Sequence, residues 1–365
     1  MIDFSDALRW RYRVYVEPRF ALHHNPWFAL KRLVANARAA SAERPLVYVY
    51  ANPQNTGDYA SYLGLTRLVG RPGLQLFCAR AAVPATMRIL QEQLASGGGW
   101  GGVFVGGGGL LQECFDPFWE ALVSSSVPFV LFGVGAAEEL PQRRLTSPGL
   151  LRAIADRAHA VHVRDRFTQQ LFASVQRHDV TIGVCPAMQW IREAAQSIDT
   201  SDTRLLHVIH DADLAMAGIA EDALRDRVRR IAGTLGLRYE ESRHMGSWSR
   251  RLLKQYARAA IVVSSRLHGC IFSYAMGKPH VAIRCDNKIG WFHETFETNM
   301  PMLDAAEWRD GLTAERVEAA RHREPAPHLE DYLISNHKRM RDILASLPKG
   351  TDARETETLP SGALG

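Results

Sequence analysis

The chain is poor in cysteine: five residues in 365, widely spaced and without a C-x-x-C pair. That excludes a disulfide-stapled scaffold and a zinc-ribbon arrangement, and suits a reducing compartment. No apolar run approaches the roughly 20 residues of a membrane-spanning helix. There is no G-x-G-x-x-G fingerprint, and no Gly-Lys-Ser/Thr follows the glycine run, which argues against an ordinary dinucleotide or ATP site. No repeat of solenoid period is present. The first residues, Met1-Ile2-Asp3-Phe4-Ser5-Asp6, are acidic and lack a hydrophobic segment, so no secretory signal is expected. His207 and His210 are three apart on a predicted strand and face opposite sides, so they make no metal pair. No metal site is expected.

What is present is an ordinary soluble composition, 46% hydrophobic, in a chain long enough for two domains. The net charge of +5 comes from 44 Lys and Arg against 39 Asp and Glu. Residues 1–44 hold much of the excess, with Arg9, Arg11, Arg13, Arg19, Lys31, Arg32, Arg38 and Arg44 interleaved with Trp10, Tyr12, Tyr15, Trp27 and Phe28. Two readings of this arm stay open: aromatics packed on a domain beneath a solvated basic face, or attachment to a membrane surface.

From residue 46 short apolar strands alternate with helical stretches. Candidate strands lie at 46–50, 74–78, 103–105, 128–132, 160–164 and 180–184. The alternation predicts a parallel sheet with crossover helices. A polar, turn-rich stretch from Ser197 to Thr203 reads as a linker, after which the pattern restarts with strands at 205–209, 260–263 and 280–283. The expected organisation is an arm (1–44), an α/β domain (45–198), a second, smaller α/β domain with a closing helix (203–347) and a disordered tail (348–365). The two domains face one cleft.

The chemistry gathers where strands end, the position at which open α/β sheets bind ligands. Ala260 to Val263 runs into Ser264-Ser265-Arg266-Leu267-His268-Gly269, with Gly277-Lys278-Pro279 further on. Arg266 offers a planar fork to phosphate or carboxylate, and His268 titrates near neutrality. Val163-Arg164-Asp165 closes another strand, and a second arginine across the cleft suits a small di-anion. Lys288, after Cys285-Asp286, is a third cation or part of a solvated turn. Asn55-Thr56-Gly57-Asp58 follows the first strand as an anion-adjacent turn or a simple helix cap. Gly106-Gly107-Gly108-Gly109 follows the third strand and permits a nest of N–H groups. Glu240-Glu241 reads as a solvated edge.

In this order, with Gly133-Val134-Gly135 after strand four, these blocks resemble the polysaccharide pyruvyl transferase family over roughly residues 46 to 300. The resemblance implies a GT-B-like fold, two Rossmann-type doubly wound parallel-sheet domains facing a central cleft. It implies phosphoenolpyruvate as donor, no cofactor, and a pyruvate ketal on a sugar as product. Carried over by position, His268 and Arg266 are the catalytic candidates. Arg164, Leu267, Asn55, Gly57, Asp58, Gly107, Gly108 and Lys288 would bind substrate. The acceptor would be a glycan or lipid-linked oligosaccharide of exopolysaccharide biosynthesis, and no nucleic acid is expected. The expected location is cytoplasmic, and peripheral at the inner face of the plasma membrane if the arm attaches there. One departure stands out: relatives often carry Asp-Pro where this chain has Cys185-Pro186.

Two other classes remain open. A GT-B glycosyltransferase using a nucleotide sugar would need an acidic ribose clamp, with Glu294 and Glu297 as candidates. A non-catalytic relative would bind glycan or a partner enzyme, against which the retained Arg164, Arg266 and His268 count.

Overall fold

The computed structural model describes residues 46–52, 55–78, 101–125, 127–137, 143–245 and 249–347. The basic arm and the tail therefore lie outside the described residues. The first unit holds strands β1 (Leu46–Tyr50), β2 (Gly73–Phe77), β3 (Gly102–Gly106), β4 (Phe129–Val134), β5 (Ala158–Val163) and β6 (Thr181–Ile182). Its helices are α1 (Thr56–Val69), α2 (Asp116–Val123), α3 (Pro148–Arg157), α4 (Arg166–Ser174) and α5 (Ala187–Ala195). The second unit holds β7 (Arg204–Val208), β8 (Arg238–Ser242), β9 (Ala259–Ser264), β10 (His280–Arg284) and β11 (Met302–Asp304). Around it run α6 (Asp211–Met216), α7 (Glu221–Thr234), α8 (Ser249–Ala257), α9 (Leu267–Ala275), α10 (Asn287–Thr295), α11 (Trp308–Gly311), α12 (Ala314–Arg321) and α13 (Leu329–Ser346).

The sheets run β2-β1-β3-β4-β5-β6 and β11-β10-β9-β7-β8, and every strand pair is parallel. The central strands are apolar throughout because both faces are covered. In β1, Val47 and Val49 enter one core while Leu46 and Tyr48 enter the opposite one. In β9, Ile261 and Val263 face away from Val262 in the same way. This is the doubly wound arrangement expected of the sequence.

The polar edge at Glu240-Glu241 is strand β8. Ion pairs hold it where apolar burial does not: Arg204 to Glu240 at 2.6 Å and Arg225 to Glu241 at 2.7 Å. The closing helix α13 reaches further than its expected place in the second domain. Leu329 and Leu333 pack in the core shared with β7, β9 and α9, while Met340 and Ile343 lie on the first sheet beside Tyr48 and Phe104. Asn336 fixes the crossing, donating to the Val184 carbonyl at 2.8 Å and meeting His162 Nε2 at 3.0 Å. Between the sheets, α5 packs against both α1 and α9, and a single core runs from Ala60 through Met188 to Ile271.

Candidate active site

Five strand ends supply the site: β1 leads into Asn55–Asp58, β3 into Gly107 and Gly108, β5 into Arg164, β9 into Arg266–His268, and β10 into Lys288. The first turns of α1 and α9 meet across the cleft. Asn55 caps α1 through its side chain, which accepts from the Gly57 N–H at 3.0 Å. The Thr56 N–H, an orphan donor of that first turn, is taken by the His244 carbonyl of the second unit at 3.0 Å. Gly57 then lies flat against the His268 ring; a Cβ there would come within 2.1 Å of the ring. Only glycine permits this approach.

On the first unit, Gly107 and Gly108 have φ of +78° and +89° and back onto Ser61 and the Asp58 carboxylate. Arg164 is seated against the Cα of Gly135, donating to the Ala136 carbonyl and to Asp165 Oδ2, both at 3.4 Å. Asp165 in turn caps α4, accepting from the Thr168 N–H at 2.8 Å. On the second unit, Ser264 Oγ pins the turn, donating to the Arg266 carbonyl at 2.8 Å and accepting from the Arg266 N–H at 3.2 Å. The Arg266 guanidinium donates to the Arg243 carbonyl at 3.1 Å. Asp286 caps α10 and holds Lys288 Nζ at 3.1 Å and Arg143 at 2.8 Å.

Together Arg164, Asp165, Cys185, Leu267, Ile271, Lys288, Phe292 and Phe296 line a narrow crevice between the units. Phe167 of α4 stacks on Trp291 of α10 at 3.9 Å and 6°, and the Arg166 N–H donates to Thr295 Oγ1 at 3.2 Å. With the units closed in this way, Asp58, Arg164, Arg266 and His268 are only 4–6% exposed.

Electrostatics set the protonation states. Burial raises the Asp58 carboxyl to about 6, although Arg266, Arg164 and Lys288 pull it down. Burial, joined by Arg266, Arg164, Lys288 and His210, drives His268 well below its ordinary value. The near-neutral histidine expected from sequence is therefore a neutral imidazole in the free site, with its Nε2 unpartnered. Asp213, which touches His210 at 2.9 Å, behaves oppositely: burial would raise it, but Lys288, His210 and Arg266 hold it below the usual carboxylate range.

The ten residues named from sequence as catalytic or substrate-binding sit in or against this cleft, though Asn55 acts as a cap and Gly107 and Gly108 as backing for Ser61 and Asp58; Glu294 and Glu297 do not line it, and Glu240-Glu241 lies on the outer strand β8. Sequence reasoning missed His244 and Asp213. His244 is buried at φ +51°, its Nε2 2.8 Å from the Tyr256 hydroxyl and its carbonyl on α1. A histidine tolerates that left-handed region better than most residues, and nothing in the local pattern announces it.

The fold has solved counterparts. The UDP-GlcNAc 2-epimerase of Methanocaldococcus jannaschii, in complex with UDP-GlcNAc and UDP, aligns with a TM-score of 0.54 at 8% identity, over 83% of this chain and 99% of that one. A putative UDP-N-acetylglucosamine 2-epimerase from Listeria monocytogenes aligns with a TM-score of 0.52 at 11% identity, over 82% and 97%. At such identities the likeness establishes the GT-B-like pairing of two α/β units and nothing about ligands. No curated protein matches the chain in sequence. The profile described as "Polysaccharide pyruvyl transferase" matches residues 55–287, a span opening at the Asn55 cap and closing beside Lys288. That span contains both halves of the cleft, and the chain belongs to the polysaccharide pyruvyl transferase family.

Proposed function

We propose that the chain moves the enolpyruvyl unit of phosphoenolpyruvate onto a pair of sugar hydroxyls, closing a pyruvate ketal on a cell-surface polysaccharide or its lipid-linked precursor. One observation carries the reading: Arg164 of the first unit and Lys288 of the second line one crevice with Leu267, the residue between Arg266 and His268. Three cations on one small site suit a donor bearing both phosphate and carboxylate.

The same field gives the proton its timing. An incoming anion offsets the three cations, so the His268 pKa rises as the donor seats. The imidazolium then delivers its proton to the terminal carbon of the enol, and the central carbon becomes electrophilic. A first hydroxyl adds there and loses its proton. The C–O bond to phosphate breaks, with the leaving oxygens stabilised by the arginines and the first turns of α1 and α9. A second hydroxyl closes the ketal. Across the whole reaction one hydroxyl proton ends on the new methyl group and the other on phosphate. Asp58, protonated beside the bound anion, donates a hydrogen bond to it. No cofactor is invoked for these steps.

A nucleotide-sugar transferase would draw on Glu294 and Glu297. Both are exposed, Glu297 lies 3.8 Å from Arg166, and neither lines the crevice. The test is a screen of phosphate release from phosphoenolpyruvate against free and lipid-linked glycosides. A competent acceptor should give release that His268→Gln abolishes while donor binding persists. Full release by that variant, or thermal stabilisation by a nucleoside diphosphate but not by phosphoenolpyruvate, would overturn the reading. Among the described residues no helix is long and apolar enough to cross a membrane. We assign any peripheral attachment to residues 1–44; deleting them should shift the protein from the membrane to the soluble fraction at low salt, and an unchanged distribution refutes this.

A further inference from the structure

Behind the cleft, three elements of the second unit bring a thiol and two imidazoles together. Cys270 lies in the first turns of α9, His280 opens β10, and His293 lies in α10. All three are buried, and their candidate ligand atoms lie within 4.8 Å of one another. The two imidazoles meet through their Nε2 atoms at 3.3 Å, with the rings inclined at 72°. Two nitrogens bound tetrahedrally to one zinc-sized ion at about 2.0–2.1 Å are themselves about 3.3 Å apart. The sulfur would stand about 3.6 Å from each nitrogen, so Cys270 Sγ need draw in by no more than about 1.2 Å.

The surroundings suit ligation. His293 Nδ1 meets Thr298 Oγ1 at 2.7 Å, a bond that fixes the ring with Nε2 toward His280. Burial holds both imidazoles in the neutral form that binds a metal. Cys270 follows directly on the turn that Ser264 pins, its N–H donating to the Arg266 carbonyl at 3.3 Å. α10 begins at the Asp286 cap that holds Lys288. Nothing in the spacing marks the cluster, whose members are spread over α9, β10 and α10.

We propose that Cys270, His280 and His293 bind one d10 transition-metal ion, Zn(II) or Cu(I), which ties α9, β10 and α10 together behind the anion site. Thiolate and imidazole together select such ions over magnesium or calcium. On binding, the Cys270 S–H breaks, the sulfur bonds to the ion, and the proton passes to solvent. The ion is structural: it sets the Arg266–His268 turn and the Lys288 turn at one fixed spacing without touching substrate. Without it, the imidazole contact is a single N–H···N hydrogen bond between neutral rings.

The test uses the full chain, untagged and purified without chelator. Elemental analysis for zinc and copper should find about one equivalent, and the identity found separates the two ions. Cys270→Ser and His293→Asn should each lose at least nine-tenths of it, while Cys285→Ser keeps it. Stripping the wild type with a strong chelator should lower its Tm by about 5 °C, restored by one equivalent of the same ion. The wild-type measurements decide the matter even if both ligand variants fail to fold. Protein isolated free of both metals, with a Tm that neither added Zn(II) nor added Cu(I) moves, overturns the proposal.

Discussion

Asp58→Asn should stabilise the folded chain above neutral pH even though it alters the cleft. Asp58 is buried and its carboxyl is raised from 3.8 to about 6, burial outweighing Arg266, Arg164 and Lys288. A folded-state pKa above the unfolded one means this group favours the fold most below pH 3.8. That contribution is lost as pH rises to about 6 and is flat beyond. About two pH units at 1.36 kcal/mol each is a penalty of about 3 kcal/mol at pH 7 and above. Asparagine keeps the shape and the acceptor oxygen but never ionises. Denaturant unfolding at pH 8, 7, 6 and 5 should show the variant more stable by up to about 3 kcal/mol at the top, the gap closing below pH 6. The same carboxyl should take up a proton when an anion seats. Asp58 should then contribute up to a tenfold fall in wild-type phosphoenolpyruvate affinity per pH unit above 6, on top of the proton that His268 takes up. The variant should show a slope shallower by one, with the ionisation of the ligand cancelling in the comparison. A stability gap equal at pH 5 and pH 8, or matching slopes in calorimetric titrations, would refute the reasoning.

Gly57→Ala places a methyl group 2.1 Å from the His268 ring, so it should cost about 1–3 kcal/mol of stability and most of the phosphate release. Gly233→Ala, in α7 with open space around it, should instead stabilise by about 0.5–1 kcal/mol in the same melts. Arg164→Lys loses the planar fork that spans the Ala136 carbonyl and Asp165, and donor affinity by titration should fall about tenfold or more with the fold intact. Trp291→Ala removes the stack on Phe167, worth about 1 kcal/mol beyond the lost burial, and should destabilise the chain by at least that much in denaturant unfolding.

The legible part of this molecule is the part where burial and sequence say the same thing. Strands β1, β3, β5 and β9 are covered on both faces and read directly as apolar runs ending in turns that carry chemistry. Strand β8 is an edge held by ion pairs, so its Arg-Tyr-Glu-Glu-Ser has no apolar signature. β11 is three residues long, too short to give a period. The cleft residues were legible singly because strand ends are where this architecture binds ligands. Their partners were not. Nothing local tells that Gly57 meets a ring some two hundred residues away. The neutral state of His268 likewise depends on burial between the units and on Arg266, Arg164 and Lys288, which three separate turns contribute.

Cys185 shows how a departure from the family pattern connects with those charges. Its sulfur lies 3.2 Å from Ser61 Oγ, and Ser61 packs beneath Gly107 on the same wall of the cleft as Asp58. Burial pushes the thiol above its ordinary value, so it stays uncharged across the neutral range. An aspartate at this position, as the resemblance leads one to expect, would be a second buried carboxyl in the field of Arg164 and Asp58. Two such groups cannot both ionise cheaply, and one would be driven to keep its proton. With an uncharged thiol there, the Asp58 carboxyl is set by burial, which raises it, against Arg266, Arg164 and Lys288, which lower it, and it stands at about 6. Under the proposed reaction, acid and base exchange falls to Asp58 and to His268, whose ring packs against Gly57 of the first unit.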